Sequence, residues 1–166
     1  MVTLRGTAAI IKRLGIKPAA DPPGSTTLLG DWYLTLSRIG RVQRVMAVSS
    51  VTLLPVILPA RDLRSLPQRL PDAVAEMLLV LGVPAAAVRT EIEAMRETTI
   101  AATSSRRILG TMNDFHFMST RAVGLPEVAL EEALFLAKSP CRPIGMRRPD
   151  DLTREMFGVP SSRTRH

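Results

Sequence analysis

The stretch "DWYLTLSRI" at residues 31–39 decides what kind of fold this chain can have. Apolar and polar side chains alternate along it. Trp32, Leu34 and Leu36 fall on one face, and Tyr33, Thr35 and Ser37 on the other. A period of two marks an extended strand, because successive Cβ atoms point to opposite sides of the pleat. "GR" at 40 and 41 suits a tight turn, and "RVMAVS" (44–49) and "TLLPVIL" (52–58) read as two more strands. Three strands with short connections predict an antiparallel meander. Pro55 has no N–H for a ladder, which puts the third strand at a sheet edge or at a bulge.

Toward the N-terminus, "VTLRG" (2–6) makes a short strand. A helix follows, with Thr7 as N-cap, Ile10, Ile11 and Leu14 as its apolar stripe, and Gly15 at the C′ position. "KPAADPPGSTT" (17–27) reads as an exposed loop with stiff segments. Beyond the meander, helical spacing begins near residue 61. Pro71 is placed at N1 of a helix whose stripe is Val74, Met77, Leu78 and Leu81, ending at Gly82. Pro84 opens the next helix, with Val88, Ile92 and Met95 inward. "TTIAATS" (98–104) is β-branched and returns to the sheet. Helices are predicted at 105–122 and at 127–138, the second carrying Leu130, Leu134 and Leu136. A last helical signal covers Pro149 to Phe157, and "GVPSSRTRH" is expected to fray. The expected fold is α+β: a single domain over residues 1–146, with an antiparallel sheet of four or five strands and helices packed on one face. Residues 147–166 are expected to form a short helical segment and a basic flexible tail.

The 166 residues suit one domain, and 46% hydrophobic with 22% charged content is ordinary for a globular chain. Folding at this length buries roughly 70% of the surface that the open chain exposes, so a core forms without disulfide or metal. The single cysteine, Cys141, excludes an intrachain disulfide and points to a reducing, cytoplasmic setting. No targeting segment is read at the start, and no window reaches the ~18 apolar residues of a membrane span. The longest apolar run, "MLLVLGVPAAAV" (77–88), is cut by Gly82 and Pro84. No membrane association is therefore expected.

The formal net charge is +7, and it is uneven. Residues 1–69 hold 10 Lys/Arg and 3 Asp/Glu, residues 70–141 hold 6 and 9, and residues 142–166 hold 6 and 3. A basic first third and a basic tail make a surface for nucleic acid or for an acidic protein partner. The competing reading is a merely soluble, arginine-rich surface. Arginine outnumbers lysine 19 to 3, which fits a high-GC bacterial genome as well as it fits arginine chemistry. Aromatics make up only 4% of the chain, so a single-strand stacking platform has little to build on.

Two stretches hold the candidate site residues. In "SRRILGTMNDFHF" (105–117), steps of 100° per residue cluster Ile108, Met112, Phe115, Ser119 and Val123 on a core face, flanked by Leu109 and His116. Ser105 is an N-cap. Arg106 and Arg107 beside the free N–H groups of the first turn make a candidate anion site, or else splay into solvent. Asn113 and Asp114 are candidates to bind a ligand or to cap a neighbouring element. His116 reads either as a base or as a satisfied histidine at the core edge. Gly110 inside a helix costs up to about 1 kcal/mol against alanine, which a close backbone or ligand would explain. In "LLGDWY" (28–33), Gly30 permits a turn, Asp31 caps or accepts from backbone, and Trp32 carries an indole N–H that needs a partner. Cys141, with no histidine nearby in sequence, is not read as a nucleophile. The chain has no G-x-S-x-G, Walker A or G-x-G-x-x-G, and no H-x-x-x-H or C-x-x-C spacing. No metal and no cofactor are expected.

Taken together, "LGDWY" opening a strand and "RRILGTMNDF" on a later helix resemble an uncharacterised prokaryotic family, domain of unknown function 6933. The resemblance covers about residues 2–146 and departs at "EEALFLAKSPCR", where a more polar stretch is expected before "PIGM". The family supplies no activity. The resemblance implies only that Asp31, Trp32, Gly110, Asn113 and Asp114 are the positions to test. The leading expectation is a small non-enzymatic binding or accessory domain acting through its basic surface. The alternative is a small enzyme on a phosphate-bearing substrate, using Asp31, Asp114 and His116. The candidate binding set is Asp31, Trp32, Arg106, Arg107, Asn113 and Asp114; if the two motifs meet, Asp31, Trp32, Asn113 and Asp114 line one polar pocket with Arg106 and Arg107 at its mouth.

Overall fold

A computed structural model describes residues 1–121 and 129–161. Strand β1 (Val2–Gly6) opens the chain, and helix α1 (Ala8–Leu14) follows it. Ile10 and Leu14 are buried, and Gly15 closes the helix in the left-handed conformation at φ 66°. Thr7 stands at the N-cap position with extended backbone, although its side chain makes no capping bond. The meander is present as read: β2 (Trp32–Ile39), β3 (Val42–Ser49) and β4 (Pro55–Pro59). Ile39 pairs with Val42 across a two-residue turn. Gly40 takes φ 60° there while Arg41 does not, the pattern of a type II′ hairpin. β4 lies at the sheet edge, where Pro55 removes no ladder bond from a central strand.

The sheet is mixed, which corrects the expectation of a purely antiparallel one. Its order is β4-β3-β2-β1-β5, with β5 at Thr98–Ala102. β1 pairs parallel with β2 on one side and parallel with β5 on the other. Parallel neighbours need a crossover of a dozen or more residues, and residues 7–31 supply one. The stretch 17–27 is therefore more than an exposed connector. Ser25 Oγ accepts from Thr3 N–H at 3.0 Å, Thr3 Oγ1 donates to Pro23 O at 3.1 Å, and Ala19 N–H bonds Ile100 O at 2.8 Å.

The remaining helices are α2 (Leu66–Val80), α3 (Ala85–Ala94), α4 (Arg106–Arg121), α5 (Ala129–Ala137) and α6 (Pro149–Met156). They cover both faces of the sheet, which corrects the one-face expectation. A Cβ on Gly6 would lie 2.8 Å from Ile10 Cγ2, so α1 sits on the face of Gly6 and its register partner Leu34. The opposite face carries Tyr33 and Ser37. Tyr33 Oη bonds Ser104 Oγ at 3.1 Å, and Ser37 Oγ bonds His116 Nδ1 at 2.8 Å, so α4 covers that side. Trp32 and Tyr33, on opposite faces of the strand, are consequently both buried.

Pro71 lies inside α2 rather than at its start. The helix begins five residues earlier, led in by a 3-10 turn at Leu63–Ser65, and Pro67 takes the first-turn position that suits proline. Leu66 and Leu70 extend the buried stripe backward. Arg69 ties this corner together by donating to Ser65 Oγ and to the carbonyls of Pro59, Arg61 and Asp62. At α3, Val88 and Met95 are buried as read, and so is Glu91. The Glu91 carboxylate accepts from the N–H groups of Leu28 and Leu29 at 2.9 and 3.0 Å, pinning the chain just before β2. Glu91→Ala strands both donors and is expected to cost about 2 kcal/mol in urea unfolding, with Glu91→Gln recovering part of the loss.

α6 is built into the body. Pro149, Asp150 and Thr153 are buried, Thr153 Oγ1 bonds Thr52 Oγ1 at 2.9 Å, and Arg154 Nε donates to Leu81 O at 3.1 Å. The predicted frayed end beyond 161, Val123 on the predicted core face of the 105–122 helix, and the first residues of the predicted 127–138 helix lie outside the described residues.

Candidate functional site

The "LGDW" stretch is a built corner. Gly30 has φ 71°, and a Cβ there would collide with Ser50 Oγ and Val51 Cγ2. Asp31 accepts from Arg5 Nε at 2.6 Å and from Ser25 Oγ at 2.5 Å, and its backbone carbonyl takes the Ser50 N–H. Trp32 is fully buried, and its indole N–H has no hydrogen-bond partner. Each residue of the motif thus has structural work at the entry to β2.

The α4 motif lies differently. Ser105 caps the helix as read, its Oγ accepting from Ile108 N–H at 3.3 Å. Ile108, Met112, Phe115 and Ser119 form the buried face, joined by Thr111. Arg106 and Arg107 are exposed, and Arg107 donates to Pro143 O at 2.7 Å. Asn113 and Asp114 are exposed. Gly110 is exposed with nothing within 4 Å of the position of a Cβ, so the close neighbour expected to explain it is absent among the described residues. Asp114 lines a cleft with Thr111, Phe115, Met118 and the Ser139–Pro143 segment, which includes Cys141. The two motifs therefore keep separate company: Asp31 is held by Arg5 and Ser25, and Asp114 borders the Cys141 cleft.

Burial, with a smaller contribution from the Asp114 charge, pushes the Cys141 thiol up to about 11 from its ordinary 9.0. It is a neutral thiol at physiological pH, and its hydrogen faces Ser139 O at 3.3 Å. The folded state holds this proton more tightly than the unfolded chain. Its contribution to stability is thus complete below pH 9 and is lost as pH rises through 11. Iodoacetamide at pH 8 is expected to label native Cys141 far more slowly than urea-unfolded chain, by mass spectrometry. Equal rates would contradict a buried, protonated thiol.

The feature with the most concentrated chemistry lies elsewhere. Arg38 and Arg41 sit at the β2–β3 hairpin, Lys12 and Arg13 in the last turn of α1, and Arg61 and Arg64 just after β4. All six are exposed. The fold brings their three segments to one end of the sheet. Arg13 donates to Gln43 Oε1 at 2.7 Å, Ala60 N–H bonds Gln43 O at 3.3 Å, and α1 packs against the 3-10 turn at Leu63–Ser65. These segments carry one acid, Asp62. Arg44 adjoins the same end, but its charge is neutralised internally by a two-pronged pair with Glu132 on α5. The charge count of residues 1–69 indicated this basic end, and the sequence alone left its members unassembled.

Among the described residues no group of three or more His, Cys, Asp or Glu side chains is placed to hold a metal ion. Among them too, no helix is long and apolar enough to cross a membrane. The architecture is that of a mixed-sheet α+β domain with one cationic end. The chain belongs to the family described as Domain of unknown function (DUF6933), whose model matches residues 3–152. That span includes both motifs and the first part of α6. No curated protein and no solved structure matches the chain.

Proposed function

We propose that this protein is a non-enzymatic binding domain whose cationic end engages a polyanion, either nucleic acid or an acidic protein. The observation that carries the reading is six exposed cations against one acid on three segments that converge at one end of the sheet. Guanidinium groups suit the task because their planar forks meet phosphate or carboxylate oxygens two at a time. The unpaired Cys141 supports a reducing, cytoplasmic setting, and the arginine bias a bacterial source. The enzymatic alternative needs Asp31, Asp114 and His116 in one cleft. Each of the three instead has its own local partner, respectively Arg5, the Cys141 cleft and Ser37.

The test is binding of the purified chain to heparin, a polyanion without bases, across a salt series. Micromolar affinity at 50 mM salt that falls with log salt on a slope of about −4 is the expected result. Affinity that stays flat with salt, or absent at low salt, would remove the reading.

A further inference from the structure

We infer that the polyanion is duplex DNA, with the tip of the β2–β3 hairpin entering a groove and the flanking cations resting on phosphates. This deepens the polyanion reading and rests on it. The first observation is an overhang. β1 ends at Gly6, opposite Leu34, and β4 ends at Pro59, opposite Arg44. Past both, the β2–β3 ladder continues through Arg38↔Gln43 and Ile39↔Val42, with Ala60 N–H still bonding Gln43 O at 3.3 Å. The tip is thus a two-stranded ribbon extending past the body of the sheet, and Arg38, Gly40, Arg41 and Val42 along it are exposed. A B-form major groove, roughly 12 Å wide, admits a two-stranded ribbon, whereas the deep, narrow major groove of duplex RNA does not.

The second observation is the chemistry of the tip. Arg38 and Arg41 offer forks that match the paired acceptors of a guanine edge or a phosphate. Val42 is 62% exposed, the most exposed large apolar side chain among the described residues, and it sits between those arginines and Gln43. Thymine methyl groups line the major groove and offer that side chain an apolar contact. The third observation is a lack of aromatics. Segments 8–14, 38–43 and 60–65 contain no Phe, Tyr or Trp, so the site offers no stacking surface to a single strand. The flanking Lys12 and Arg13 of α1 and Arg61 and Arg64 after β4 lie on two segments that pack against each other beside the ribbon, where they can reach a phosphate rim of the groove.

The test is a fluorescence-anisotropy series at 0.1 M salt. It uses a mixed-sequence 20-base-pair DNA, a single strand with the same number of phosphates, a 20-base-pair RNA, poly-glutamate and heparin. Duplex DNA is expected to bind at least tenfold tighter than the single strand, the RNA duplex or poly-glutamate. Two variants remove the same charge from different places. Arg38→Gln with Arg41→Gln at the tip is expected to abolish the duplex preference. Lys12→Gln with Arg64→Gln on the flanks weakens all polyanions and keeps that preference. Circular dichroism confirms that both variants fold. Equal binding of duplex, single strand and poly-glutamate, or a duplex preference that survives the tip variant, would overturn the inference while leaving the polyanion reading intact. Failure to bind heparin as well would overturn both.

Discussion

Glu132→Ala is expected to lower the unfolding free energy by about 3–5 kcal/mol, read from the urea midpoint at constant slope. Glu132 is on α5, its side chain 4% exposed, and it holds the Arg44 guanidinium of β3 in a two-pronged ion pair. Both charges have left water, so their separate hydration is lost whether or not the pair persists. Removing the carboxylate leaves a buried guanidinium whose Nε already lacks an acceptor. Arg44→Ala is expected to cost a similar amount, because it strands the carboxylate. The double variant Arg44→Met with Glu132→Leu removes both charges while keeping the volume, and it should return to within about 1.5 kcal/mol of the parent. A single variant losing less than about 1 kcal/mol would mean that the pair is solvated. The pair also explains why counting Arg44 with the basic third of the sequence overstates the surface charge.

What the sequence made legible follows the range of the interactions involved. The β2–β3–β4 meander was readable because each pairing joins neighbours in the chain, through signals as local as Gly40-Arg41 and Pro55. The parallel pairing of β1 with β2 and β5 was not. It is set by a crossover and by bonds such as Val2 N–H to Glu97 O, which join residues nearly a hundred positions apart. The one-face expectation failed for a related reason. Alternation in β2 shows that the two faces differ, and Tyr33 and Ser37 read as polar without revealing that Ser104 and His116 would cover them. Pro71 misled because proline has two statistical homes in a helix argument, and the better first-turn proline, Pro67, lay four residues upstream.

The candidate site residues divide in the same way. Gly30, Asp31 and Trp32 stood out because they are chemically unusual at the start of a strand, and the corner they build accounts for them locally. Asn113, Asp114 and Gly110 stood out on α4, and they remain on its exposed side. The cationic end was legible only as a sum over 69 residues. Its position depends on α1 reaching Gln43 and on the hairpin passing the ends of its neighbours, both of which are tertiary facts.

The largest functional effect is expected from neutralising that end. Replacing Arg38, Arg41, Arg61 and Arg64 together by glutamine takes the formal charge from +7 to +3. If each cation replaces one counterion, each removed contact lowers the salt slope by about 0.9 and weakens binding at 0.1 M salt by about eightfold. Four such losses amount to about three and a half orders of magnitude, enough to move micromolar heparin binding out of a practical range. The same change in net charge made elsewhere separates a site from a bulk effect. Arg89, Arg106, Lys138 and Arg142 are exposed and lie outside the three converging segments, so their replacement by glutamine gives a second +3 protein. That control is expected to lose less than about tenfold, because exposed charges that do not touch the ligand are screened by salt over a Debye length of ~10 Å. All eight positions are exposed, and exposed substitutions of this kind usually change stability by less than about 0.5 kcal/mol each. Matching losses in the two proteins would mean that affinity follows total charge, and the cationic end would then have no claim to be a site. A loss confined to the first protein ties binding to the hairpin, the α1 terminus and the turn after β4 as one surface.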